Sequence, residues 1–188
     1  MTAMDTPIDV RTARLRLRAL QDRDAERIYA LFGNWEVIRW LDEPPWPYER
    51  EHADWFVNAR KVVDSDFITT AITFDGMLIG VIGATLKQPG GIHPKSGYSI
   101  GYWIGQPYWG RGYMSEAARG FIAHLFATVP DDTIYSGAFT DNAASLRIQD
   151  KLGFTRDGEM MYFSNPHRKE MPHINTSLTR ARFMKRTG

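Results

Sequence analysis

Apolar residues at 114, 117, 118, 121, 122, 125, 126 and 129 repeat with helical spacing, and Ser115, Glu116, Arg119 and His124 fall off that stripe. The pattern predicts an amphipathic helix with one face in a core. Upstream, Leu15, Leu17 and Ala19 alternate with Arg16 and Arg18, the period of a half-buried strand. A helix is expected from Asp22 or Asp24 through about Phe32. Residues 34–46 read as irregular and rich in large apolar groups (Trp35, Ile38, Trp40, Leu41) ahead of Pro44-Pro45. Pro47 suits the first position of a second helix, with Tyr48, Trp55, Phe56, Ala59, Val62 and Val63 as its apolar side. The tryptophans of this region either pack the two helices together or line a substrate pocket. Strands over 67–73 and 77–86 flank Asp75-Gly76, a hairpin dipeptide. Gln88-Pro89-Gly90-Gly91 opens a loop, and strands follow at 98–104 and 133–140. A short helix starts at Asp141 or Asn142 and stops at Gly153. Residues 155–164 and 172–180 close the pattern as a strand pair around Asn165-Pro166, and Arg182, Lys185 and Arg186 read as a solvated, frayed tail. No repeat or linker divides the chain, so 1–188 is read as one domain with a core over about 12–180 and a basic tail over 181–188.

The most informative stretch is 102–117, where a strand passes through a glycine-punctuated loop into the amphipathic helix. Glycines let backbone N–H groups converge, and the helix start adds unpaired N–H groups and a positive dipole end. The guest expected at Gly110, Arg111, Gly112, Tyr113 and Met114 is a phosphate. A nucleoside-triphosphate loop needs Lys and Ser/Thr where this chain has Arg111 and Gly112, and Gly-x-Gly-x-x-Gly is absent. What remains is a pyrophosphate held mainly by main chain without a metal, or a plain turn whose glycines only permit tight strand-to-helix packing.

Composition narrows the chemistry. With no cysteine, a disulfide framework, a thiolate metal cluster and a cysteine nucleophile are all excluded. The five histidines, His52, His93, His124, His167 and His173, fall at no metal-binding spacing, so no metal is expected. Near balance of 23 basic and 22 acidic side chains argues against an electrostatic nucleic-acid binder. Charge is unevenly spread: residues 34–66 carry eight acids against four bases, and 142–188 nine bases against four acids. An acidic front and a basic rear suit a cationic amine and an anionic cofactor respectively, although solvated surface charge reads the same way. Met1-Thr2-Ala3-Met4-Asp5 has no basic start before an apolar run, and no apolar stretch reaches transmembrane length, so a soluble cytoplasmic protein is the expectation.

Three segments resemble the GCN5-related N-acetyltransferases, most closely their ribosomal-protein N-terminal acetyltransferase branch: residues 12–18 with Asp24-Ala25, the loop 108–117, and Asn142-x-x-Ser145 through Leu152-Gly153-Phe154. The likeness spans about residues 12–180 in family order. One departure is Pro107, where the family loop carries Gln or Arg; Gln106 stands one place early. The resemblance implies a single-domain α/β (α+β) fold with a mixed, mostly antiparallel sheet of six to seven strands and about four helices. It implies a strand 98–104 that bulges and splays to pair with a pantetheine arm. It also implies acetyl transfer from acetyl-coenzyme A to a primary amine, a protein N-terminus or a small molecule, by direct attack in a ternary complex. On the same ground, the cofactor contacts are Trp103, Ile104, Gly105, Trp109, Gly110, Arg111, Gly112, Tyr113, Met114, Asn142 and Ser145. Backbone near 103–105 would polarise the thioester, Asn142 orient the pantetheine amide, and Ser145, with Tyr162 as rival, protonate the leaving thiolate. Glu116, Glu159, His173 or a water chain stands open as base, with Glu116 better suited to stabilising the helix start. A catalytically silent acyl-coenzyme A sensor and a nucleotide-binding protein are the alternatives, and a homodimer is compatible with either enzyme reading.

Overall fold

The computed structural model describes residues 8–61, 66–89 and 95–187; Met1 to Asp5, Val62, Val63, Asp64, Gly90, Gly91, His93 and Gly188, which figure above, lie outside them. In chain order the elements are β1 (Asp9–Arg11), β2 (Arg16–Arg18), α1 (Asp24–Phe32), α2 (Trp35–Ile38), α3 (Arg50–Arg60), β3 (Phe67–Phe74), β4 (Met77–Lys87) and β5 (Gly97–Ile104). A 3-10 turn (Gln106–Tyr108) leads to α4 (Tyr113–Thr128), followed by β6 (Thr133–Phe139), α5 (Ala143–Leu152), β7 (Thr155–Ser164), β8 (Lys169–Thr179) and α6 (Arg180–Thr187). The fold class is the expected mixed α/β one. The strands form one sheet in the order β1-β2-β3-β4-β5-β6-β8-β7, antiparallel except between β5 and β6. The eight strands and six α-helices among the described residues exceed the expected six to seven and four. The additions are β1, α2 and α6, too short or too charged to show a period. β1 also moves the start of the ordered core ahead of residue 12, its Asp9 carboxylate taking Arg16 Nε at 2.7 Å.

Both sheet faces are covered, so alternate residues enter two cores. On one face Leu15, Leu17, Ile72, Ile82, Ile100 and Ile134 meet Met114, Phe121, Ile122 and Leu125 of α4. On the other, Ala71, Leu78 and Val81 meet Ile28 and Phe32 of α1, Ile38 of α2 and Val57 of α3. This two-sided burial corrects the reading of Arg18 as an outward residue. It faces α1, is buried, and pairs both guanidinium nitrogens with Asp24 at 2.7 and 2.8 Å.

Two further expectations fail for physical reasons. The second helix starts at Arg50, not Pro47; Glu49 precedes it, its N–H donating to His52 Nδ1 at 2.9 Å. Its buried side is Ala53 and Val57, with Phe56 half-buried against the same core; Trp55 and Ala59 are exposed, because residues two apart on a helix point nearly opposite ways. The tail is likewise not frayed. Residues 180–187 form α6, where Phe183 is 2% exposed and packs 5.7 Å from Phe126. Arg180 donates to the carbonyls of Phe126, Val129 and Asp131, binding the loop after α4. Phe183→Leu is expected to lower stability by about 1–2 kcal/mol in urea denaturation, where a frayed tail would show no change.

Candidate active site

The loop after β5 is held by four tethers. Gly105 N–H donates to Ile79 C=O at 2.9 Å, and the Trp109 indole N–H returns to Ile104 C=O at 2.7 Å. Arg27 reaches across to Tyr108 Oη at 2.6 Å, and Asn34 Nδ2 to Gln106 Oε1 at 2.7 Å. The chain then passes through Gly110 and Gly112 at φ 73° and 76°, left-handed values that L side chains adopt only with strain. Gly112 occupies the N-cap of α4 with no side chain to cap it, and the first intrahelical bond runs from Glu116 N–H to Gly112 C=O at 3.1 Å. The N–H groups ahead of that bond therefore open onto the cleft, at the positive end of a sixteen-residue helix.

Arg14, to which the sequence reading gave no role, fastens this cradle. Its Nε donates to Glu116 Oε2 at 2.7 Å, its Nη1 to the Arg111 carbonyl at 3.0 Å, and its guanidinium lies 4.6 Å from the Tyr113 ring centre. Glu116 also accepts from Thr12 Oγ1 and Arg14 N–H, at 2.6 and 2.8 Å. Burial alone would raise the Glu116 pKa, but these hydrogen bonds and the Arg14 charge outweigh it and hold the carboxyl below its ordinary range. The ion pair is thus formed at neutral pH and lost as pH falls through that lowered value. Its place is structural, tying the β1–β2 turn to α4.

Downstream, Asn142 is the N-cap of α5, its Oδ1 accepting Ser145 N–H at 3.1 Å, and Gly153 ends the helix at φ 98°. Ser145 Oγ lies 3.0 Å from Tyr102 Oη and accepts from Gln149 Nε2 at 3.3 Å. The Gln149 amide has one workable orientation: its nitrogen also donates to the Gly137 carbonyl at 3.1 Å and its oxygen accepts from Thr176 Oγ1 at 2.9 Å. Since Gln149 must donate to Ser145 Oγ, a second bond from Tyr102 would leave the serine proton free to point into the cleft. Burial raises the Tyr102 pKa, against hydrogen bonds to Ser145 and Gln149, so this phenol stays protonated. Gln149 was readable as a polar residue one helical turn from Ser145; Tyr102 carried no such signal.

Between the two motifs the sheet parts. β5 and β6 share one register pair, Ser99 with Tyr135, and Ser136 Oγ reaches Ile100 C=O at 3.1 Å just beyond it. The expected splay is present. The expected bulge in β5 is not, since its pairing with β4 runs unbroken from Gly80↔Ile104 to Lys87↔Gly97. The irregularity falls instead at the far edge of β4, against β3, between Ile72 and Thr73.

A cleft of about 1250 Å³ runs through this slot and joins the two faces of the sheet. Trp103, Ile104, Trp109, Gly110, Gly112, Tyr113, Met114, Asn142 and Ser145 all line it, as does Tyr162. Arg111 is exposed on the loop's outer side, and Gly105 packs beneath against Leu31. Arg147 and Lys151 stand on its α5 wall; Asp42, Glu43 and Trp40 stand at the opposite end, with Arg60 and Lys87 along β3 and β4. On that opposite side a strap crosses the mouth. Asn165 donates its N–H to Asp42 C=O at 2.8 Å and its Nδ2 to Glu43 C=O at 2.6 Å, and His167 Nε2 lies 3.1 Å from Arg39 C=O. Trp35 divides its contacts between Trp46 and His167, at 5.1 and 5.0 Å. Trp35 and Trp46 thus pack against each other under the strap, and Trp40 lines the cleft.

Residues 14–155 match the family model described as Acetyltransferase (GNAT) domain. The N-acetyltransferase YoaA of Bacillus subtilis is 30% identical over 164 residues, covering 81% of this chain and 85% of that protein. Spermidine N(1)-acetyltransferase of Escherichia coli K12 is 24% identical over 148 residues, covering 79% and 76%. Among solved structures, Mycobacterium smegmatis RimJ in complex with CoA-disulfide superposes with a TM-score of 0.76 at 19% identity, over 96% of this chain and 91% of that one.

Proposed function

The chain belongs to the GNAT acetyltransferase family, and from that premise we propose that it is one N-acetyltransferase domain moving the acetyl group of acetyl-coenzyme A to a compact, cationic primary amine. The amine attacks the thioester directly, in a ternary complex. The observation that carries this reading is one continuous cleft, running from the uncapped N-terminus of α4 through the slot between β5 and β6 to the strap. The Gly110 to Met114 main chain takes the pyrophosphate. The main-chain groups of Trp103 and Ile104 that are not spent on β4 or on the Trp109 indole face the pantetheine and thioester, and Asn142 keeps its Nδ2 for the pantetheine amide, Oδ1 being spent on the cap. Ser145 gives a proton to the departing thiolate, and Tyr162 is the second candidate.

Asp42 and Glu43 at the amine end, with Arg147 and Lys151 at the cofactor end, support a cationic acceptor meeting an anionic donor. The strap supports a compact one. Work in the cytoplasm belongs to this reading; none of the described helices is long and apolar enough to cross a membrane. A homodimer is the assembly to look for by sedimentation.

The test is thiol release from acetyl-coenzyme A by the full chain over a panel of diamines, polyamines, aminated sugars and peptides with free N-termini. Turnover with the small cations, above that with peptides, is expected; release with none of them would overturn the reading. Ser145→Ala should lower kcat by about 100-fold at nearly constant acetyl-coenzyme A KM, the scale of a lost general acid. Unchanged kcat would pass the role to Tyr162.

A further inference from the structure

Thr176 and Ile174 of β8 meet Gln149 and Leu146 of α5, so alternation turns His173 and Asn175 to the other face of the sheet, toward the strap. Tyr162 of β7 joins them there. Its ring centre is 4.4 Å from that of His173, and its hydroxyl is 3.4 Å from Asn175 Oδ1. The imidazole lies over Gly137, where any Cβ would overlap His173 Cε1, and its edge abuts Phe139. All three polar residues line the cleft.

Two polar atoms in this cluster are buried without a hydrogen-bond partner: His173 Nδ1 and Asn175 Nδ2, the latter on a side chain 2% exposed. Each such orphan has lost its water without gaining a partner. One change satisfies both. With the Asn175 amide turned over, Nδ2 would donate to Tyr162 Oη, and Oδ1 would be the acceptor offered to the neighbouring His173 ring, whose Nδ1 would carry the proton. The imidazole is then fixed in the tautomer whose Nε2 carries the lone pair, and the tyrosine proton is released from Asn175.

Resting on the acetyl-transfer reading, we propose that His173 Nε2 takes the ammonium proton of the acceptor and that Asn175 is the positioning residue that holds this tautomer. Burial lowers the His173 pKa, against the Asp42 charge and Asn175, which keeps the ring neutral and able to accept a proton near pH 7. The titratable groups facing it are Asp42 from the strap and Tyr162 from β7; burial, then Asp42, raises the tyrosine's pKa, so it stays a phenol. In the reaction, R–NH3+ yields one proton to Nε2, and the free amine bonds to the thioester carbon. The C–S bond breaks with its electron pair on sulfur. The nitrogen's second proton balances the one that the thiolate takes from the Ser145 or Tyr162 hydroxyl, and the imidazolium discharges to solvent.

Imidazole 15N NMR of the full chain tests the tautomer without turnover, with His173 assigned through His173→Gln. A protonated Nδ1 and bare Nε2 are expected, retained in Asn175→Asp with a raised His173 pKa and lost in Asn175→Ala. A protonated Nε2 in the parent protein, or identical titration in both variants, would overturn the proposal. In the amine panel, His173→Gln should lose about 100-fold in kcat and the rise of kcat with pH on the acid limb of its profile, with coenzyme A affinity by calorimetry unchanged. If the parent turns over and this variant stays within about threefold, His173 is not the base. If the parent itself transfers to no amine, it is the acetyl-transfer reading that falls.

Discussion

Glutamate in place of Gly112 should abolish coenzyme A binding in calorimetry while leaving the protein folded. Two costs add at this residue. A side chain at φ 76° brings strain of about 1–2 kcal/mol. A carboxylate at the mouth of α4 then meets the cofactor's own negative charge, a repulsion of about 1–4 kcal/mol at contact distance. At about 1.4 kcal/mol per decade the combined loss runs from about thirtyfold to about ten-thousandfold. Gly112→Ala, which carries the strain without the charge, should lose about tenfold, so the difference between the two isolates the anion site. Equal affinity in the glutamate variant and the parent would mean that the diphosphate binds elsewhere.

The largest stability effect is expected from Asp24→Asn. The amide keeps an acceptor for Gln21 N–H, which Asp24 Oδ2 receives at 2.8 Å, and withdraws the charge facing Arg18. With both partners under a tenth exposed, water cannot replace the lost carboxylate. An uncompensated buried guanidinium costs about 3–5 kcal/mol, a large share of the roughly 5–15 kcal/mol that holds a domain together. Urea denaturation measures it. A loss below about 1 kcal/mol would show the pair to be solvent-screened. Replacing both residues by apolar ones, Arg18→Met with Asp24→Leu, should recover most of the loss, because the cost lies in the stranded charge.

What could be read from the chain and what could not divides by distance along it. The cradle, the Asn142 cap, the Asp75-Gly76 turn and the stripe of α4 depend on residues within a turn or two of one another, and all four stand where the pattern puts them. The Arg14–Glu116 tether spans 102 residues and the Tyr102–Ser145 contact 43, and neither partner's local surroundings announce the other. Phase misled in α3, where Trp55 stands two residues from both Ala53 and Val57 and so turns away from the seam those two face. Charge misled at the end, where the basic residues of 180–186 conceal Phe183, whose ring closes one core. Alternation misled at Arg18, because it presumes a sheet wet on one side.

Among the described residues, Ser99 and Tyr135 are the single rung shared by β5 and β6, so the protein is built as two slabs with a seam: β1 to β5 with the first four helices, and β6 to β8 with the last two. On the acetyl-transfer reading, a pantetheine arm laid in that seam would supply the ladder bonds the neighbouring strands withhold from each other. α4 already bridges the halves, through Arg180 on the carbonyls at its C-terminal end and Phe183 against Phe126, so coenzyme would raise the melting temperature by its affinity for the native state and no more.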